Sequence, residues 1–280
     1  MKFFIPVKKY RVVSITGNWC ALNCSHCNRR YLEGMTHVKP GTLLETLASM
    51  HRNGVRGVLI SGGFSKDSTL PIEPYLGELL LAKKQTGIWF SAHLGLITNI
   101  NLLTQLRHTI DLVDYEFTQS TFIVNHIRRL PNEYVRTYKD ALNAMVKVGL
   151  KVVPHVYAWY PSISRESLIS ELEYIESIGM RQATLLIYIP PSRNYPVPIT
   201  EMIDMIRYAR RRFGGELYLG CMRPPWVKSA IDKIVVEEEL VDRVANPYHK
   251  LLKDLGNKYE LFDACCSVPD EVMDLFKWDN

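Results

Sequence analysis

Arg11-Val-Val-Ser-Ile-Thr-Gly-Asn-Trp-Cys-Ala-Leu-Asn-Cys-Ser-His-Cys27 is an apolar, β-branched run that breaks at a glycine and then delivers three cysteines. Arg11 to Thr16 reads as a strand, with the cysteines on the loop at its C-terminal end. The spacing C-x3-C-x2-C of Cys20, Cys24 and Cys27 puts three thiols on one short segment. Three thiolates hold three irons of a cubane 4Fe-4S cluster, which leaves the fourth iron open to a small-molecule ligand. Zinc is the alternative, with His26 as fourth ligand. It fits poorly, because zinc sites usually pair two separated ligand units and these four would be crowded together.

Working outward, strand-like runs alternate with helix-period segments. After the first strand, the expected strands are Gly57 to Ser61, Gly87 to His93, Leu112 to Thr118, Leu150 to Tyr157, Gln182 to Tyr188, Glu216 to Cys221 and Val241 to Ala245. Between them lie amphipathic patterns such as Thr200 to Arg210, with Ile203, Ile206 and Phe213 on one face, Thr200 as its cap and Gly214-Gly215 behind it. Strand-helix alternation over 280 residues, near the roughly 250 of an eight-fold barrel, predicts an α/β fold. The expected architecture is a TIM-type (β/α) barrel, complete or nearly so, over residues 1–256. Residues 257–280 are expected to form a C-terminal tail covering the barrel mouth. Ile189 to Pro198, rich in proline, reads as one rigid loop.

Such a barrel collects its chemistry where strands end. The second strand closes on Ser61-Gly62-Gly63, bare backbone that a ligand can approach. The third ends in His93, the fourth in Tyr115-Glu116, and the fifth carries Pro154-His155. Each of His93, Glu116 and His155 reads equally as a satisfied polar group at a barrel mouth. The seventh strand finishes at Gly220-Cys221-Met-Arg223, and Cys265 and Cys266 stand beside Ser267 near the C-terminus. If the tail folds back, Cys221, Cys265 and Cys266 converge and can hold a second 4Fe-4S cluster, with Ser267 as a candidate oxygen ligand. The plainer reading is buried free thiols.

The cysteine motif, with Gly57-Val-Leu-Ile-Ser-Gly-Gly63 one strand-helix unit later, resembles the radical S-adenosylmethionine (SAM) superfamily. The resemblance implies that a reduced cluster passes an electron to bound SAM, and that the resulting 5'-deoxyadenosyl radical abstracts hydrogen from a substrate. It also implies that the glycine pair meets the amino group of SAM. Candidate cofactor contacts are His26, Ser61, Gly62, Gly63, His93, Glu116 (to the ribose) and His155. Candidate catalytic residues are His155 and Arg223, the latter steering a carboxylate or supporting cluster charge, or else closing an ordinary loop salt bridge.

Val153-Pro-His155, Leu219-Gly-Cys-Met-Arg-Pro224 and Phe262-Asp-Ala-Cys-Cys-Ser267 further resemble the archaeal biotin-synthase-related family, which includes subunits of a two-component lipoyl synthase. That resemblance implies sulfur insertion from a sacrificial auxiliary cluster into a protein-bound octanoyl-lysine. The implied partners are a sister radical SAM subunit, a lipoyl-carrier protein or octanoyl-lysyl peptide, and an electron donor such as ferredoxin. Two departures stand out: Asn28 replaces the family's glycine after the third cysteine, and Pro190 to Pro196 replaces a loop of small residues. The alternative is another C–H transformation, of a lipid, cofactor or RNA, with an auxiliary cluster that survives.

The net charge of +5 and pI near 8.8 are mildly basic. Lys83-Lys84, Arg128-Arg129 and Arg210 to Arg212 read as solvated helix faces, able to steer an acidic carrier. Without a nucleic-acid module, and with a pI below 9, the chain is not expected to bind nucleic acid. No run approaches the about 18 apolar residues of a membrane span. The apolar patch at Phe3 to Val7 is too short for a signal peptide, and clustered metal-ligand spacing favours a reducing compartment. The expectation is a cytoplasmic enzyme.

Overall fold

The computed structural model describes residues 1–256 and 258–278. Its strands are β1 (Lys2–Phe4), β2 (Tyr10–Ser14), β3 (Thr36–His37), β4 (Gly57–Ser61), β5 (Trp89–Ala92), β6 (Leu112–Glu116), β7 (Val152–Trp159), β8 (Gln182–Ile187), β9 (Glu216–Leu219), β10 (Arg243–Ala245) and β11 (Glu260–Phe262). Its helices are α1 (Leu43–Arg52), α2 (Leu76–Thr86), α3 (Ile100–Leu106), α4 (Tyr134–Lys147), α5 (Arg165–Ser177), α6 (Ile199–Arg212), α7 (Lys228–Glu237) and α8 (His249–Leu255). The alternation expected from the sequence is present, and the fold is α/β with parallel strands.

These elements form two compact units. The first, residues 7–153, carries strands in the order β3-β2-β4-β5-β6, paired in parallel. The second joins residues 1–6 to the chain from Pro154 onward and carries β11-β1-β10-β9-β8-β7, also parallel. Parallel neighbours need a crossover, and the helices supply it. All four residues of β5 are buried, as are all of β4 except the half-buried Leu59, as expected of parallel strands covered on both faces. On α4, Tyr138, Ala141, Leu142 and Met145 recur at helical spacing and fill one buried stripe.

Several boundaries differ from expectation. α6 starts at Ile199, so Thr200 lies inside the first turn and Pro198 occupies the cap position. Proline suits a helix start, where its missing N–H has no partner to lose. At the other end, Arg210 Nη2 donates to the carbonyls of Phe213 and Gly215, closing the helix with a side chain. β7 continues to Trp159, two residues beyond the expected end. The tail contributes β11, which pairs with β1, while Asn257, Asp279 and Asn280 of the expected tail lie outside the described residues. Phe4 stacks on Phe262 at 5.2 Å between centroids, and Phe3 meets Tyr259 edge-on at 5.4 Å. Aromatic packing thus holds two strands of three residues each, too short to show a period in sequence.

Candidate cluster site and second cysteine group

Register assembles the first site. Ser14 and Ser61 are partners across β2 and β4, so the cysteine loop and the Gly62-Gly63 turn leave neighbouring strands at one level. Thr16 joins them: its Oγ1 accepts from Gly63 N–H at 2.6 Å and donates to the Trp19 carbonyl at 2.9 Å. Ala21 N–H donates to the Phe64 carbonyl at 2.8 Å, and Phe64 N–H donates to Cys20 Sγ at 3.3 Å. A Cβ on residue 63 would stand 1.8 Å from the Trp19 oxygen and 2.5 Å from Cys20 Cβ. The cysteine loop itself therefore demands glycine there, ahead of any contact with a cofactor.

The rest of the motif is one tight turn. The N–H groups of Cys27 and Asn28 both donate to the Cys24 carbonyl, at 3.3 and 2.9 Å. Asn28 and Arg29 then take left-handed backbone, with φ of 43° and 66°. Glycine enters this region freely, and asparagine enters it more readily than most other residues. Asn28 accordingly holds a left-handed turn without a glycine.

Across from this turn, Ile123–Ile127 form a π-helical turn, a feature that recurs at functional sites. The Ile127 carbonyl accepts from Ser25 N–H at 2.9 Å, and Arg128 Nη1 donates to Cys24 Sγ at 3.6 Å. Arg128 Nε donates to Glu116 Oε1 at 2.6 Å while Nη2 pairs with Oε2, a two-pronged ion pair. A hydrogen bond from Cys27 and, more weakly, the Arg128 charge hold the Cys24 thiol down at about 6 against burial. The same bond pushes Cys27 up. Burial, reinforced by Arg128, lowers His26 to about 4, so its imidazole is neutral at pH 7.

A titration follows from this. In metal-free protein kept reduced, the first thiolate absorbance is expected to rise as pH climbs through about 6, and to vanish in Cys24→Ala. A first step only near the ordinary thiol value of 9.0 would contradict the arrangement.

Among the other candidates, Ser61 Oγ lies 3.0 Å from His93 Nδ1, and both belong to the first unit with His26, Gly62, Gly63 and Glu116. His26 Nδ1 is buried and has no partner among the described residues. A cavity of about 510 Å³ opens on the motif, lined by Asn18, Asn23, Asn28, Arg29 and Glu33. Its size suits a small molecule, and all five lining residues are polar or charged. His155 lies in the second unit, the fourth of eight residues in β7 and in register with Thr184, so it sits mid-strand and not at the strand's end.

A family model described as the radical SAM superfamily matches residues 14–175, more than half of the chain. The chain belongs to the radical SAM superfamily. No curated protein matches its sequence. Among solved structures it is similar to methylornithine synthase (PylB), with TM-score 0.57, 13% identity, and 87% of this chain and 72% of that one covered. It is also similar to the FeFe-hydrogenase maturase HydG from Carboxydothermus hydrogenoformans, at TM-score 0.59 and 13% identity over 87% and 58%. A third is Streptococcus suis SuiB bound to S-adenosylmethionine, at TM-score 0.53 and 14% identity over 87% and 51%. The chain thus spans little more than half of the last two, and at these identities the likeness is one of fold.

Membership in the radical SAM superfamily implies a 4Fe-4S cluster and SAM. The first unit fits them: three thiols on one short segment, a guanidinium to offset thiolate charge, and a buried imidazole nitrogen without a partner among the described residues. Among the described residues no three His, Cys, Asp or Glu side chains are gathered as ligands of a single ion. A cubane asks for less, since each thiolate binds a different iron.

In the second unit of this radical SAM chain, Cys221 is exposed, Cys265 half-buried and Cys266 buried, and Cys265 Sγ donates to Ser267 Oγ at 3.6 Å. Arg223 is sealed inside: Nε and Nη2 donate to Asp232 at 2.8 and 2.9 Å, Nη1 to the Gly220 carbonyl at 2.5 Å, and Nη2 to the Asn246 carbonyl at 3.2 Å. Of the roles expected of it, this is the salt bridge, and it fixes the loop that carries Cys221. Arg243, which the sequence reading did not single out, does the same for the other loop. Its Nη1 donates to the carbonyls of Cys266 and Val268 at 3.0 and 2.6 Å, its Nη2 to Asp270 at 2.6 Å, and its guanidinium lies 4.5 Å from the Tyr218 ring centroid.

Proposed function

We propose that this chain is a sulfur-inserting radical SAM enzyme, a subunit of a two-component lipoyl synthase acting on a protein-bound octanoyl-lysine. The observation that carries the reading is the pair of anchored cysteine loops in the second unit. Buried Arg223 and Arg243 grip the carbonyls of Gly220 and Cys266, and so fix the backbone at both places where thiols are offered.

An unactivated alkyl C–H bond carries no acidic proton, so acid–base groups alone cannot open it. The chemistry that cluster and SAM supply when bound is a radical able to abstract that hydrogen. In this reading Cys20, Cys24 and Cys27 hold the first cluster, and neutral His26 offers a ring nitrogen to SAM without adding charge. Cys221, Cys265 and Cys266 hold a second 4Fe-4S cluster as the sulfur source, with the Ser267 hydroxyl available to it. The sister subunit, the lipoyl carrier and a ferredoxin-type donor complete the proposed system.

Two anaerobic experiments test this. Cys221→Ala and Cys265→Ala are each expected to lower iron from about eight to about four atoms per chain, the content of one cubane, while the first-site signal persists. The reconstituted chain is then given SAM, reductant and an octanoyl-lysyl peptide, alone and with a second radical SAM subunit. 5'-Deoxyadenosine together with thiolated peptide, in a single turnover, supports the proposal. Deoxyadenosine without sulfur on the peptide, or repeated turnover with second-site iron intact, overturns it in favour of another C–H transformation.

A further inference from the structure

Arg128 sits in a constrained turn, and its side chain hydrogen-bonds Tyr138. The same side chain grips Glu116 through two nitrogens, its neighbour Ile127 binds the Ser25 N–H, and Arg129 turns away through left-handed backbone at φ 58°. An ion pair with Glu116 needs only the Nε and Nη2 edge. The remaining Nη1 is aimed at Cys24 Sγ, 3.6 Å away. With the Arg128 and Glu116 side chains 14% and 16% exposed, salt and water screen this charge weakly.

We propose that Arg128 tunes the reduction potential of the first cluster by presenting a hydrogen bond and a positive charge to the sulfur of Cys24, with Glu116 fixing its position. This rests on Cys24 being a cluster ligand. Reduction adds an electron to the cluster, and a cation with its N–H on a ligand sulfur stabilises the reduced state. Arg128 makes reduction easier, and the Glu116 carboxylate, lying behind it, offsets part of that effect. Neither residue need touch the substrate; Arg128 is a positioning and tuning group acting through a ligand sulfur.

The test is an anaerobic redox titration of the first cluster, followed by electron paramagnetic resonance without SAM, in the wild type and in Arg128→Met, Arg128→Lys and Glu116→Gln. Arg128→Met is expected to lower the ratio of reduced to oxidised cluster at a fixed potential at least tenfold, a shift of 59 mV for a one-electron couple. Arg128→Lys, which keeps the charge, falls between. Glu116→Gln, which keeps an oxygen to accept from Arg128 Nε and so holds its position but removes the opposing charge, shifts the ratio the other way. A purely structural role would move Met and Gln variants in one direction or neither, and either result, at full iron content, overturns the proposal. Should Arg128→Met fail to load iron, the Glu116→Gln shift decides alone, upward for the proposal and unchanged or downward against it. Absence of a cluster signal in the wild type would instead remove the ligand assignment beneath it.

Discussion

Gly63→Ala is expected to cost the chain its first cluster. The added methyl would meet the Trp19 carbonyl oxygen at 1.8 Å and the Cys20 backbone at 2.6 Å, and neither is the far end of a side chain that can swing away. The loop must shift by more than an ångström, breaking the bonds from Thr16 to Trp19 and from Phe64 to Cys20. Overpacking of this kind typically costs about 1–3 kcal/mol, and a backbone collision belongs at the upper end. The larger effect is on chemistry: a reacting group misplaced by an ångström can lose about a hundredfold in rate. Deoxyadenosine formation should fall at least that far, along with first-site iron. Gly77→Ala is the control, since a Cβ there meets nothing within 4 Å on α2. It is expected to be neutral or stabilising by about 0.5–1 kcal/mol. Normal iron and activity in Gly63→Ala would contradict the packing described.

The second large effect is expected at Asp232. Its carboxylate and the Arg223 guanidinium are both fully buried, and Asp232 also accepts from Tyr248 N–H at 2.7 Å. Removing one partner of a buried pair strands the other charge, at a cost of about 3–5 kcal/mol. Asp232→Ala should lower the denaturant midpoint accordingly and free the loop that bears Cys221. The double change Asp232→Leu with Arg223→Met removes both charges and should recover much of the loss, so the two effects will not add. Equal stability of Asp232→Ala and wild type in urea unfolding would show that the pair is not sealed as described.

The course of the strands was legible wherever a run was long enough to carry a pattern. Gly57 to Ser61 appears as β4 with the expected ends, and the seven other expected runs each overlap a strand whose ends lie within a few residues of their bounds. β1, β3 and β11 went unread because two or three residues show no period, and their pairing comes from partners far along the chain. The three cysteines of the first site were legible because their ligand spacing is local. Arg128 was not, because its carboxylate lies 12 residues away and its thiol partner 104. Within the basic runs expected on solvated faces, Arg128 pairs with Glu116, Lys83 with Asp111, and Arg210 with Asp242, so a run of charge in sequence did not reveal which cation was spoken for. His155 was expected within a strand ending at Tyr157; β8 carries β7 on to Trp159 and leaves His155 deeper in the strand. Asn28 shows the converse: an asparagine read as a departure from a glycine pattern holds left-handed backbone.

The most direct measurement is made on protein purified and reconstituted without oxygen, then reduced strongly in the presence of SAM. With Cys20, Cys24 and Cys27 leaving one iron of a cubane open, the protein should yield 5'-deoxyadenosine, and Cys24→Ala should not. Zinc bound at these three cysteines, or an iron–sulfur protein that leaves SAM intact, would contradict the account.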